Sequence, residues 1–145
     1  MAVHYLPEGY NTVNSYLITP QAEQVLEFLK QVFDAIEVGR LLGPDGKIGH
    51  AELQVGNSRI MLSHGMSDSL PSSAVLVVYV PDADVTYAKA IAAGAESIRP
   101  PTDQFYGDRS GGVKDVAGNQ WWIHTHIEDV TFDEIERRAA QLPQS

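Results

Sequence analysis

His50 and Glu52 stand two residues apart in Gly49–Val55 (GHAELQV), where polar and apolar residues alternate. On a strand such residues project to one side, so His50, Glu52 and Gln54 share a face and Ala51, Leu53 and Val55 pack opposite. An imidazole beside a carboxylate forms an acid–base pair or a pair of metal ligands. A second set lies in Asn119–His126 (NQWWIHTH), where Gln120, Trp122, His124 and His126 share one face. His50, Glu52 and His124 are therefore the candidate catalytic groups, suited to proton transfer. Tyr106, Asp108 and Arg109 fall in the Gly-rich connection before that run. There Arg109 is placed to grip a carboxylate or phosphate in two prongs, and Tyr106 supplies a phenol. Trp122 offers a flat apolar surface for stacking. Tyr106, Arg109 and Trp122 are the candidate substrate contacts. Each candidate has a structural alternative. A histidine in a sheet is ordinarily hydrogen-bonded framework, Arg109 bridges to a carboxylate and pins its loop, and Trp122 is a core or dimer-interface aromatic. His4 near the first residue and His64 beside the mid-chain linker read as surface groups.

These residues need strands to carry them, and the chain supplies them twice. Gly56-Asn57 and Gly118-Asn119 recur 62 residues apart, each between a loop-strand segment and an apolar strand. A repeat near half the chain length means one unit built twice. In the first half, alternation over Thr12–Thr19 predicts a strand, ended by Pro20. Ala22, Val25, Leu26, Leu29, Val32 and Phe33 recur at helical spacing over Gln21–Phe33. Strands are expected at Ile36–Leu42, Gly49–Val55 and Ser58–Ser63, with turns at Pro44-Asp45-Gly46 and Gly56-Asn57. The small, polar His64–Ser73 is the expected linker. In the second half, the apolar run Ser73–Val80 reads as a strand buried on both faces. Next comes a helix capped by Asp82 or Asp84 and ended by Gly94. Strands are expected near Glu96–Arg99, in Gly111–Asp115 and in Asn119–His126. Gly111-Gly112 has no following helix or Lys, so it reads as a flexible or bulged backbone, not a phosphate cradle. A final helix over Thr131–Leu142, with Thr131 and Glu134 as a capping box, is polar on most of its surface. The expected fold class is α+β, two tandem βαβββ modules at about 12–64 and 73–127 with the C-terminal helix at about 131–142.

The 145 residues suit one compact domain or two fused modules, and 43% apolar content fills a core. With a net charge of −9 and ten Lys and Arg, the surface has no footprint for nucleic acid or anionic membrane. Absence of cysteine excludes disulfide scaffolds, thiolate zinc sites and Cys nucleophiles. MAVHYLPEGY has neither the basic start nor the apolar run of a signal peptide. No stretch reaches the ~20 apolar residues of a membrane span. The expected location is the cytoplasm.

The tandem order, with the segments DGKIGHAEL, IMLSH, DQFYGDRSGGVKDVAGNQWWI and THIEDV, resembles the vicinal oxygen chelate superfamily. This is the glyoxalase, bleomycin-resistance and dioxygenase group, and the resemblance is nearest its PhnB-like branch. It covers nearly all of residues 9–140. It implies two curved four-stranded sheets around a cavity, a homodimer, often with exchanged modules, and a small-molecule ligand. It also implies that the face of Trp122 is the cavity side. Metal-using members hold a divalent ion with His, Gln and Glu on first and last strands, as a Lewis acid for a bidentate oxygen substrate. The family's Glu lies four residues beyond the glycine of Asp-x-x-Gly-Asn. Here the turn is Asp115-Val116-Ala117-Gly118-Asn119 and the matching residue is Trp122, which cannot replace a carboxylate. Ser73–Val80 lacks the usual His, and Asn14, Ser15 and Tyr16 are poor ligands. No cofactor is therefore expected, although a divalent metal remains open if His50, Glu52 and His124 converge. The expected function is small-molecule binding in the cavity between modules without the usual metal. The alternative is a lyase, isomerase or dioxygenase-type enzyme, metal-dependent or metal-free, using His50, Glu52 and His124.

Overall fold

A computed structural model describes residues 4–65 and 73–143. Most of the expected linker, residues 66–72, lies outside the described residues. The elements run β1 (Ser15–Ile18), α1 (Ala22–Phe33), β2 (Ile36–Leu42), β3 (Ile48–Val55), β4 (Ser58–Ser63), β5 (Val75–Tyr79), α2 (Ala83–Ala92), β6 (Glu96–Asp103), β7 (Asp108–Lys114), β8 (Gln120–His126) and α3 (Phe132–Ala140). The chain forms two compact units, Met1–Ala74 with Asp115–Asn119 and Val75–Lys114 with Gln120–Ser145. Each carries one four-stranded mixed sheet, ordered β1-β4-β3-β2 in the first and β5-β8-β7-β6 in the second. The first and fourth strands of each repeat pair in parallel and the other pairs are antiparallel. The α+β fold of two βαβββ repeats is thus the observed architecture.

In the first unit, α1 buries Val25, Leu26, Leu29 and Val32 against β3 and β4. Ala51, Leu53, Ile60 and Leu62 answer from the sheet. Each fully buried Leu contributes about 2 kcal/mol. The helix stops at Asp34, whose φ of 54° is left-handed and whose N–H donates to the Leu29 carbonyl. In the second unit, Ala83 and Ala90 of α2 meet Val113, Trp121 and Ile123. Asp82 caps α2 by accepting from the Val85 N–H at 3.2 Å. Thr131 caps α3 in the same way from Glu134. No residue of α3 is buried, and Arg138 fastens it to the Phe105 carbonyl and Glu128.

Several expectations change. β5 is not buried on both faces: Val75, Val77 and Tyr79 are exposed. It is an edge strand, and α2 packs on β6, β7 and β8 instead. β6 runs on through Pro100 and Pro101 to Asp103, with register shifts after Ser97 and Arg99. Prolines are tolerated there because β6 is also an edge. β7 starts at Asp108, so Asp108 and Arg109 are strand residues rather than loop residues. The two Gly-Asn turns differ as well. Val55 pairs directly with Ser58 across a two-residue turn, whereas Lys114 pairs with Gln120 across five residues. Asp115 organises the longer turn by accepting from the Ala117 and Asn119 N–H groups.

Candidate functional site

On the helix-free face of the first sheet, His50 and Glu52 meet as the alternation required. His50 Nε2 lies 2.9 Å from Glu52 Oε2. Arg59 of β4 donates to the other oxygen at 2.9 Å, and Tyr10, ahead of β1, donates its phenol proton there too. The Arg59 guanidinium lies over the Tyr10 ring, 4.6 Å from its centre. Hydrogen bonds from Tyr10, His50 and Arg59 outweigh burial and hold the Glu52 carboxyl down at about 2. The same bond pushes the Tyr10 phenol up. An ionised carboxylate only accepts, so His50 Nε2 donates and Nδ1 is left to accept. The Tyr16 hydroxyl lies 3.0 Å from that Nδ1. A cavity of about 300 Å³ adjoins this group, lined by Val38, Gly39, Arg40, Leu41, His50 and Glu52. Arg40 is already held by Glu37 and Glu23.

The second sheet carries a different hub. Asp108, buried at the start of β7, accepts from Tyr79 at 2.7 Å, from His124 Nδ1 at 2.9 Å and from His126 Nδ1 at 2.8 Å. Burial pushes its carboxyl up, but the bonds from His124, His126 and Tyr79 outweigh that and leave it below the ordinary range. With Nδ1–H of His124 directed at Asp108, its Nε2 is the acceptor nitrogen. His126 faces a carboxylate at each nitrogen, Asp108 and Asp129 at 2.7 Å. Both nitrogens donate, and these bonds push its pKa up. The Tyr106 ring stacks near His124, with centres 6.3 Å apart.

The other candidates have protein partners. Arg109 forms a two-pronged pair with Asp84, at 2.7 and 2.9 Å, and reaches Asp103 at 3.0 Å. It grips carboxylates of its own unit. Trp122 donates Nε1–H to Gln120 at 3.2 Å, and the Arg99 guanidinium covers its ring at 5.4 Å. That ring also explains Gly112, where a Cβ would stand 2.7 Å from Trp122. At Gly111 a Cβ would stand 2.9 Å from the Pro101 nitrogen. The glycine pair therefore permits close approach, and Gly111 lies opposite the irregularity of β6 between Arg99 and Thr102. His64 lies 3.7 Å from Asp45. Sequence reading passed over Tyr10, Arg59, Tyr16, Tyr79 and Asp108 as members of these clusters. Alternation over Ser58–Ser63 would have placed Arg59 on the face of Glu52, but nothing local in the sequence draws Tyr10 to it.

The family's metal set does not fit these residues. At the carboxylate position stands an indole engaged with Gln120 and Arg99. β5 offers one polar side chain, Tyr79, which is spent on Asp108. Among the described residues no group of three or more His, Asp and Glu is arranged to hold a metal ion.

Comparisons with known proteins agree with the architecture. The chain is 31% identical over 147 residues to the uncharacterized protein Mb0911c of Mycobacterium bovis, covering 94% of each. TioX from Micromonospora superposes with a TM-score of 0.64 at 26% identity, covering 79% of this chain and 96% of that one. The fosfomycin resistance protein FosX from Listeria monocytogenes, in a complex with Mn(II) and sulfate, superposes at 0.64 with 17% identity. That match covers 89% of this chain and 97% of FosX, and at this identity it speaks to fold alone. Among the described residues no helix is long and apolar enough to cross a membrane. A family model described as Glyoxalase/Bleomycin resistance protein/Dioxygenase superfamily matches residues 5–123, and the chain belongs to that superfamily.

Proposed function

We propose that this protein binds a compact, uncharged small molecule without the divalent metal used by many relatives. The observation that carries this reading is the cavity of about 300 Å³ beside His50 and Glu52. Val38 and Leu41 give it an apolar wall. Its charged neighbours are already neutralised within the protein, Glu52 by Arg59 and Arg40 by Glu23 and Glu37. A charged ligand would have to displace one of these pairs and leave the displaced partner unpaired. His50 and the Glu52 carboxylate then orient a polar group on the ligand. Within the superfamily we place the chain in the PhnB-like branch, on the segments DGKIGHAEL and DQFYGDRSGGVKDVAGNQWWI. A homodimer fits the exposed Val75 and Val77 of β5, and a cysteine-free chain suits the cytoplasm.

The test is a thermal-shift and titration screen of neutral fragments, run on the wild type and on Leu41→Glu, with elemental analysis of metal-supplemented protein alongside. Saturable binding that Leu41→Glu abolishes, without stoichiometric metal, is expected. About one Mn, Ni, Zn or Fe per chain sinks the metal-free reading, and binding indifferent to Leu41→Glu moves the site elsewhere.

A second reading, metal-free acid–base catalysis, has one observation behind it: Asp108 holds His124 with Nε2 as an acceptor nitrogen. In that reading Tyr106 and Trp122 face the substrate, and Arg109 binds an anionic group only by giving up Asp84. Arg109→Ala should then weaken an anionic ligand by ~1–3 kcal/mol, and unchanged affinity in a titration removes Arg109 from the site.

A further inference from the structure

The first strand of each repeat carries a tyrosine whose phenol reaches the third strand. Tyr16 of β1 pairs with Met61, which pairs with Glu52 of β3. Tyr79 of β5 pairs with His124, which pairs with Ser110 of β7. Each phenol then bonds to the third-strand residue two positions earlier, His50 in the first unit and Asp108 in the second. In the first unit the acceptor is a nitrogen able to take the proton. In the second it is an anion, which resists formation of a phenolate beside it.

We infer that Tyr16 is a reactive phenol, with His50 as its base and Glu52 as the group that orients His50, directed at a compact uncharged electrophile. The arrangement is that of a nucleophile, a base and an orienting carboxylate. The Tyr16 proton passes to His50 Nδ1 while Nε2–H stays on the Glu52 oxygen 2.9 Å away. The positive charge formed on the imidazole is opposed by a carboxylate held ionised by Tyr10 and Arg59. The phenolate oxygen forms the new bond and the leaving group departs with the electron pair of the bond it breaks. Tyr16 is 44% exposed, so a reagent reaches it. Tyr79 also reaches its third strand and has greater exposure, 62%, but its phenol is pushed up by its bond to Asp108 and then by burial. The class of electrophile rests on the proposed binding site, whereas the reactivity of Tyr16 rests on its own hydrogen bonds and is tested without a ligand.

The experiment treats the intact protein with an arylsulfonyl fluoride, which forms an O–S bond to tyrosine and releases fluoride, and maps the six tyrosines by mass spectrometry. Tyr5, 87% exposed and free of such a relay, is the internal reference. Tyr16 is expected to label at least about tenfold faster than Tyr5, with Tyr79 slower than Tyr5. His50→Gln should bring Tyr16 down to the rate of Tyr5. Equal rates for Tyr16 and Tyr5, a Tyr79 as fast as Tyr16, or an unaltered Tyr16 rate in a folded His50→Gln protein would each overturn the inference. Should His50→Gln fail to fold, the ranking of the three tyrosines in the wild type decides. The assay contains no ligand, so a failed fragment screen leaves its result intact.

Discussion

The hubs of the two sheets are built on one scaffold and have opposite electrostatics. In the first, Glu52 is part-exposed and shared among a cation, a phenol and an imidazole, so its charge is balanced by Arg59. In the second, Asp108 is nearly inaccessible and has no Arg or Lys among its partners. Its counter-charge comes from His126, which is itself half exposed. Each repeat thus brings a first-strand tyrosine to its third strand, while the residue it meets decides whether its proton is mobile or locked.

The sharpest way to break this contrast is to remove each carboxylate. Asp108→Ala leaves the buried His124 and the more exposed Tyr79 and His126 without their acceptor and should cost about 3 kcal/mol in urea unfolding. Glu52→Ala should cost less, on the order of 2 kcal/mol, because Glu52 is itself part-exposed and Arg59 keeps its bond to Gln54. A reversed order would show that burial does not separate the hubs.

Acid should next separate them by degree. Glu52 is depressed to about 2, so its contribution is complete above its unfolded value near 4.5 and is lost as pH falls toward 2. Asp108 is depressed in the same sense, so its share also fades as pH falls. Glu52→Gln should flatten the acid limb of stability against pH, by on the order of 3 kcal/mol at most. An unchanged limb would show that its bonds do not persist in solution.

His126 gives the second hub a limb of opposite sign. Its folded pKa is raised, so its contribution is present below the unfolded value near 6.5 and is lost as pH rises through the folded one. Thermal melts from pH 6 to 9 should show that loss, and His126→Gln should remove it. The smallest effect is expected from Arg109→Ala. Its partners are solvent-facing, so loss of its pairs with Asp84 and Asp103 should shift the urea midpoint only slightly, and about 0.5 M salt should shrink that shift further.

Much of the scaffold was legible because its signals are local. The helical spacing of Val25, Leu26, Leu29 and Val32, the caps at Asp82 and Thr131 and the alternation of His50 with Glu52 each act within a few residues. The errors came where neighbours in space decide. Ser73–Val80 has the composition of a doubly buried strand, yet β5 is an edge that α2 does not cover. The close approach at Gly111-Gly112 was not legible, because strand pairing is what brings the Trp122 ring and Pro101 against the pair. Whether Arg109 meets a ligand or a protein carboxylate was open in the sequence, because its partner Asp84 lies 25 residues away.

The sequence by itself determined the repeat and the faces of the strands, since these follow from residue type and from periods of 2 and 3.6. Only the tertiary structure decided which groups share a proton. Whether Tyr16 meets an imidazole and Tyr79 a carboxylate depends on strand order and register, which bring residues 34 and 29 positions apart to hydrogen-bond distance. Hydrogen bonds are short-ranged and directional, so no property of either residue alone anticipates them.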